Sequence, residues 1–344
     1  MKKIIILSLI IILSILLIKQ NIKINAIDIN DTASSTIMMD INHNRILYEN
    51  KINDKHLTAS IAKILTCIVA IENGDLNKVC VVNDETTKQV GSSIYLKLGD
   101  KIYLQDLLYG MMLRSGNDAA YLISISVCNT LEDFVSLMNK TANKIKMFDS
   151  TFSNPSGLDE TSKNYSTAYD MALLMAYCMK NKVFREITST SFYSFTSLND
   201  NKYYFNNKHK LIKSNENCIS GKTGYTELAK RTLVSVFSKN DIDVVIVTFN
   251  CGNDWNLHES LFEYALNNYQ NKKFISQGIL NYNYIQCEVT PIIYEDVSYL
   301  IKNNEEIKCE IELLEKINNE EIIGIIKLYL DNIIIKEVFI YRYY

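Results

Sequence analysis

Three short runs carry residue types whose spacing could do chemistry. Ser60-Ile61-Ala62-Lys63 sets a hydroxyl and an amine three residues apart, and such residues share one face of a helix. A serine hydroxyl is a poor nucleophile until a neighbouring base takes its proton. An ammonium cannot be that base, so Lys63 must be neutral, a state that burial and a nearby cation both favour. Alone, the spacing arises often by chance, and it reads equally as a serine N-cap followed by a solvent-facing lysine. Ser115-Gly116-Asn117 offers a hydroxyl able to relay a proton and an amide that both donates and accepts. By itself it is also an ordinary helix-helix turn, with Gly116 relieving strain and Asn117 capping the next helix. The third run is Gly221-Lys222-Thr223-Gly224, leading into Tyr225-Thr226. It is not a phosphate loop, because G-x-x-x-x-G-K-S/T needs glycines upstream and a helix downstream. Glycines on both sides of Lys222-Thr223 permit close approach by a ligand backbone. Lys222 offers charge to a carboxylate and a second cation near Lys63, and Thr223 offers a hydroxyl; the plainer alternative is a solvated edge strand.

The elements that must hold these runs follow from hydrophobic period and turn residues. Residues 34–50 predict a hairpin, turning at Asn42-His43-Asn44. Residues 60–73 predict a helix through Ile61, Ile64, Leu65, Ile68, Val69 and Ile71, with Gly74 as its C-terminal cap. Helices are expected at 103–113, 118–128, 131–144 and 167–180, making 76–200 a mostly helical insert. Strands are expected at 219–225, 232–238 and 244–250, with Asn240-Asp241 turning between the last two. A helix at 256–270 follows. Short strands at 285–289, 307–313, 321–328 and 333–341 give a β tail.

Composition bounds the setting. The chain has 344 residues, of which 47% are hydrophobic and 22% charged, enough for a buried core and two or three domains. A formal net charge of -3 shows none of the basic excess that nucleic-acid binding would want. Met1-Lys2-Lys3 and the apolar run Ile4 to Ile18 read as the start of a secretory signal. As a helix that run rises about 22 Å, short of the roughly 30 Å hydrocarbon core. Residues 1–26 are therefore expected to be a signal peptide cut after Ala26, or an anchor giving membrane contact through residues 4–18. Either places the body outside the cytoplasmic membrane. Eight scattered cysteines, with no C-x-x-C, favour single buried thiols over a disulfide framework, and their pairing stays open. His43, His56, His209 and His258 have no metal-ligand spacing, so no metal site is expected.

Together, S-x-x-K, S-x-N and K-T-G in this order are the signature of penicillin-recognising serine acyl-transfer enzymes. The chain resembles the low-molecular-mass D-alanyl-D-alanine carboxypeptidases, the penicillin-binding proteins of the DacF and DacB type. The resemblance spans roughly residues 34–270 and includes Gly91 to Leu96, Leu107 to Leu113, Phe152 to Leu158 and Ser166 to Asp170. It implies an α/β plus all-β architecture, the beta-lactamase/DD-peptidase-like fold. This is an antiparallel sheet flanked by helices at 27–272, with the helical insert, followed by a small β domain at 273–344. It implies Ser60 as nucleophile, Lys63 as base and Ser115 as proton relay. Asn117, Lys222, Thr223, Gly224 and Tyr225 would bind substrate, and the Ser60 and Tyr225 N–H groups would form the oxyanion hole. The implied substrate is a peptidoglycan stem peptide ending in D-Ala-D-Ala, with β-lactams as acylating inhibitors and no cofactor. Thr58 stands where the family usually has proline. Ala229-Lys230-Arg231-Thr232 replaces its Ala-Gly and following cysteine, and His209 replaces an asparagine. None of these removes a proton-transfer or acylation group. A β-lactamase of the same fold, a transpeptidase and a catalytically silent cell-wall binding module remain as alternatives.

Overall fold

Ser35-Thr36-Ile37-Met38-Met39-Asp40 alternates in no obvious way, and all six residues are buried, as a strand covered on both faces requires. In the computed structural model, which describes residues 29–281, 289–314 and 321–344, this run is strand β1 (Ser35–Asp40). It pairs antiparallel with β2 (Ile46–Asn50), as the hairpin expectation requires. The chain then enters the helical part. Helix α1 (Lys63–Asn73) buries everything from Lys63 to Ala70 and is the central helix of the main core. Gly74 is its C-terminal cap, as expected, and takes extended backbone there. Its need for glycine is spatial, because a Cβ there would lie 2.8 Å from both the Ala70 oxygen and Leu104 Cδ2.

Around α1 stand α2 (Leu104–Arg114), α3 (Asn117–Cys128), α4 (Leu131–Lys144), α5 (Ala168–Cys178) and α6 (Lys182–Ser189). Thr130, Thr167 and Asn181 cap the last three through side-chain oxygens. The insert is less purely helical than its sequence suggests. Val79–Val81 pairs with Lys101–Tyr103, and Phe192–Thr196 pairs with Lys202–Asn206. The second hairpin buries Tyr203 and Phe205 against the helices, where Phe205 closes on Gly110.

Three long strands complete the central sheet: β3 (Cys218–Thr226), β4 (Lys230–Lys239) and β5 (Ile242–Phe249), in the order β2-β1-β5-β4-β3. Asn240 and Asp241 both take positive φ, which a tight two-residue hairpin turn demands. One sheet face sends Ile37, Met39, Val234, Val236, Val245 and Val247 into the helical core. The other face packs α7 (Asp254–Asn268), with Phe237 stacked on Phe262 at 4.8 Å. Strand β3 is the sheet edge, and the helical part lies beside it.

After α7 the chain continues as β6 (Tyr269–Ile275), β7 (Gly278–Ile279), β8 (Pro291–Ile293), β9 (Val297–Lys302), β10 (Ile307–Leu313), β11 (Ile322–Leu330) and β12 (Ile333–Arg342). Five of these form a sheet in the order β7-β8-β12-β11-β10, while β6 pairs with β9. Strand β6 crosses position 272/273, where the sequence divides the catalytic body from the tail. Arg45 fastens the two parts, donating to the Leu300 carbonyl at 2.7 Å and to Glu305 between the Tyr269 and Tyr299 rings. The expected signal segment 1–26, and all of the expected strand 285–289 but Val289, lie outside the described residues. Among the described residues no helix is long and apolar enough to cross a membrane.

Candidate active site

Ser60 sits in a tight helical turn, Ala59–Ala62, that runs directly into α1. The turn is entered through Ala59 at φ +46, a left-handed conformation rare for a residue with a Cβ. Lys63 is the first residue of α1 and is fully buried. Its Nζ lies 3.1 Å from Ser60 Oγ, 2.7 Å from Asn117 Oδ1 and 2.5 Å from the Ser156 carbonyl oxygen. The last two oxygens can only accept. They therefore occupy both N–H groups of a neutral amine and leave its lone pair for the Ser60 hydroxyl. Burial is the largest influence lowering the Lys63 pKa, followed by the Lys222 and Lys208 charges; Asp118 opposes them.

The Ser115-Gly116-Asn117 run closes α2 and opens α3. The left-handed residue is Ser115 at φ +66, not Gly116. Gly116 is needed for room, since a Cβ would lie 2.8 Å from Asp118 Oδ1. Asn117 does not cap α3 either. Its side chain turns inward, accepting from Lys63 and donating to the Val90 carbonyl at 2.6 Å. Asp118, buried, accepts from Ser93 Oγ at 2.6 Å and from the Ile94 and Leu96 amides. The Asn117 amide donates to the Ser92 carbonyl at 2.7 Å. These bonds moor the Gly91 to Leu96 loop as one wall of the site.

On β3, Lys222 is buried behind the cleft. Its Nζ donates to Ser115 Oγ at 3.0 Å and to the Thr223 carbonyl at 2.7 Å. Burial, then Lys208, pushes its pKa down to about 7. Gly224 faces the nucleophile: a Cβ there would lie 2.9 Å from the Ser60 nitrogen. Thr223 and the exposed Tyr225 continue the strand along the cleft. All eight residues singled out in the sequence thus gather around one locus.

Ser60 lies where two clefts meet. One, of about 450 Å³, includes Ser115, Lys208, Thr223, Arg231, Asp254 and Trp255. The other, of about 520 Å³, includes Asn117, Gly157, Asp159, Glu160, Lys163 and Glu227. The first carries more cations than anions and the second the reverse. Thr226 Oγ1 donates to Asp159 at 2.5 Å, linking the β3–β4 turn to the Phe152 to Leu158 loop. Asn154 shapes that loop, accepting from the Gly157 amide at 2.7 Å and the Ser156 amide at 3.1 Å.

The departures from the family pattern have local accommodations. The Thr58 amide donates to Asn164 O, a bond proline could not make, and Thr232 Oγ1 donates to Thr58 O at 3.1 Å. Lys230 takes φ +58, the left-handed backbone for which glycine is suited. His209 is buried against Gly221, its Nε2 within 3.1 Å of Val234 O and 3.0 Å of Ser235 Oγ. Burial pushes its pKa down to about 3, so it stays neutral beneath the Lys222 strand.

The Ser156 carbonyl, Gly157 and Lys208 are participants the sequence analysis missed. Lys208 donates to Ser92 Oγ at 3.1 Å and its charge depresses both buried lysines. Lys208→Gln should therefore raise the Lys63 pKa and move the rising limb of the acylation pH profile to higher pH. Stopped-flow acylation across a pH series checks this, and an unmoved limb would remove Lys208 from the electrostatics.

Comparison with known proteins agrees with this geometry. The family model described as D-alanyl-D-alanine carboxypeptidase matches residues 21–253. The chain is 29% identical over 222 residues to D-alanyl-D-alanine carboxypeptidase DacF of Bacillus subtilis, covering 63% of this chain and 57% of that protein. It thus spans little more than half the length of that relative. The crystal structure of the D-alanyl-D-alanine carboxypeptidase from Mycobacterium tuberculosis H37Rv is similar at TM-score 0.65 and 28% identity, covering 68% of this chain and 90% of that one. The DacD carboxypeptidase structure from Francisella tularensis shares the fold at TM-score 0.70 over 92% of this chain and 94% of its own, at 22% identity. That last match carries the fold through the β tail. Because the family match runs from before β1 to beyond β5, through all three motifs, the chain belongs to the D-alanyl-D-alanine carboxypeptidase family.

Proposed function

We propose that this protein is a serine-type D-Ala-D-Ala carboxypeptidase that removes the terminal D-alanine from peptidoglycan stem peptides. One observation carries the reading: Lys63 Nζ stands 3.1 Å from Ser60 Oγ with its other contacts on two oxygens that only accept. Ser60 Oγ attacks the carbonyl between the two D-alanines while its proton passes to Lys63. The Ser60 and Tyr225 N–H groups receive the developing oxyanion, and the missing side chain of Gly224 lets β3 approach the Ser60 amide, which a Cβ there would crowd at 2.9 Å. The C–N bond breaks as Ser115, backed by Lys222, returns a proton to the leaving amine. Water then hydrolyses the acyl-enzyme, giving D-Ala and a shortened peptide. The basic cleft suits the departing carboxylate end and the acidic cleft the rest of the stem peptide. This substrate places the body outside the cytoplasmic membrane, with the apolar run 4–18 as signal or anchor.

Labelled penicillin tests the reading. Ser60 should be the single labelled serine on peptide mapping, and the protein should release D-Ala from diacetyl-Lys-D-Ala-D-Ala. No label, or label elsewhere, would reject it in favour of a silent wall-binding module. Rapid loss of the label without release of D-Ala would make the protein a β-lactamase.

A further inference from the structure

On the reading of the site as a serine acyl-transfer centre with Lys63 as base, we propose that His209 is a positioning residue: it anchors the backbone of residues 207–210 to the central sheet and so holds the Lys208 charge beside the two buried lysines. Lys208 is exposed, and its bond to Ser92 Oγ lies at the surface. A solvated lysine head swings on a flexible four-carbon stem, so its charge stays near Lys63 and Lys222 only if the backbone beneath it is held. On one side that backbone is tied to the helical part. The Lys208 amide donates to the Leu113 carbonyl at 3.0 Å, the Asn207 amide to the Ser191 carbonyl at 2.9 Å, and Asn207 Nδ2 to the Thr190 carbonyl at 2.9 Å. On the sheet side stands His209, whose own amide donates to Asn207 Oδ1 at 2.8 Å.

The His209 ring is buried between β3, β4 and α7. Its Nε2 lies 3.1 Å from the Val234 carbonyl oxygen and 3.0 Å from Ser235 Oγ. A carbonyl only accepts, so Nε2 carries the proton and Nδ1 the lone pair. Nδ1 finds no partner among the described residues, a cost to stability that an apolar side chain would not incur. The ring is thus kept for what its Nε2–H holds. It also lies directly on Gly221, where a Cβ would fall 2.4 Å from Nε2. His209 therefore ties the segment that carries Lys208 to the residue before Lys222. Ser235 Oγ bonds in turn to His258 Nδ1 at 2.9 Å, and His258 Nε2 to Thr248 Oγ1 at 3.0 Å, so the anchor reaches β5 and α7. Burial keeps both imidazoles neutral, and the anchor adds no charge of its own. The charges acting on or from Lys208 are Lys63 on α1, Lys222 on β3 and Arg114 at the end of α2, while Asp118 on α3 opposes the cations at Lys63. Lys222 and His258 are the titratable groups that face His209.

The test is the pH profile of Ser60 acylation by penicillin, followed by stopped flow on the full chain. Below the limb at which Lys63 loses its proton, Lys208→Gln and His209→Leu should each acylate about 10-fold more slowly than wild type, the effect of taking one charge several ångströms away at an effective dielectric of about 20. Above the limb their rates should approach wild type, because the limb has moved to higher pH while the nucleophile is intact. The double variant should show the limb of Lys208→Gln alone, since the place of residue 208 ceases to matter once its charge is gone. His209→Gln, whose amide N–H can reach where Nε2 stood, should return the limb most of the way. If the Leu variant does not fold, His209→Asn, whose shorter side chain draws the donor back from the Val234 carbonyl, takes its place with the same expectation. A purely structural role would lower the rate at every pH and leave the limb unmoved, which would overturn the proposal, as would a double variant whose limb moves further than that of Lys208→Gln. Penicillin labelling of Ser60 in wild type separates the two levels. Absent label rejects the acyl-transfer reading itself, while a labelled wild type with an unmoved limb in the His209 variants rejects the His209 assignment alone.

Discussion

Lys63→Ala is expected to slow acylation of Ser60, by peptide and by penicillin alike, by roughly 100- to 10,000-fold, the usual contribution of a positioned general base. The direction follows from the contacts. Among the described residues Lys63 is the one titratable side chain bonded to Ser60 Oγ, and it is fully buried. Burial and the Lys222 and Lys208 charges lower its pKa from the ordinary lysine value, so the free amine is present at a pH where exposed lysines are charged. In wild type the acylation rate should rise with pH as Lys63 loses its proton, and this limb should lie well below the ordinary lysine range. K63A should show no such limb. Truncation also leaves Asn117 Oδ1 and the Ser156 carbonyl without their shared donor, so the melting midpoint is measured alongside. Undiminished D-Ala release by a folded K63A protein would refute Lys63 as base.

Much of this site is legible because its chemistry sits in side chains at helical or strand spacing. Ser60 and Lys63 are three apart on one element, Ser115 and Asn117 bracket one turn, and Lys222 to Tyr225 occupy one strand. The β1–β2 hairpin, helices α1 to α5 and strands β3 to β5 are legible for the same reason, since local period and turn residues specify them. What escapes is what needs a third dimension. The Ser156 carbonyl is a backbone group, so no residue type announces it. Arg231, Asp254 and Trp255 meet only when α7 packs beside the start of β4. Lys208 reads as one surface lysine among many until α2 and the Ser92 loop bring it to the cleft. The Phe192–Thr196 and Lys202–Asn206 hairpin is masked by its helical surroundings. The glycines show the same limit. Gly74 and Gly116 look like conformational devices in the sequence, yet both turn out to be required for space. Left-handed backbone falls instead on residues that carry side chains, and two of these, Ala59 and Ser115, flank the chemistry.

Gly157 combines both requirements, and its replacement should be as damaging as loss of the base. Gly157→Ala is expected to reduce Ser60 acylation about 100-fold or more, the scale on which a displacement near 1 Å costs an oriented reaction. The residue has φ +80, where a Cβ costs roughly 1–2 kcal/mol before any contact is counted. The added Cβ would fall 1.8 Å from the Ala59 carbonyl oxygen and 3.1 Å from the Ser60 nitrogen. Neither side has slack. Ala59 is already left-handed at φ +46, Thr232 Oγ1 holds the Thr58 carbonyl, and Gly224 faces the Ser60 nitrogen from β3. On its own side Gly157 is tied by its amide to Asn154, and the neighbouring Ser156 carbonyl is bonded to Lys63. Relief of the clash must therefore move the nucleophile peptide, the base, or both. Ser156→Ala is the matched control, because it keeps the carbonyl that Lys63 uses. It loses only the hydroxyl bonds to Asn154 and Leu158, a cost of about 1 kcal/mol each to stability with acylation largely kept. Penicillin acylation rates and melting midpoints of the two variants, measured side by side, decide the point. A Gly157→Ala protein that acylates as fast as Ser156→Ala would show that the Ala59–Ser60 peptide is not held by this contact.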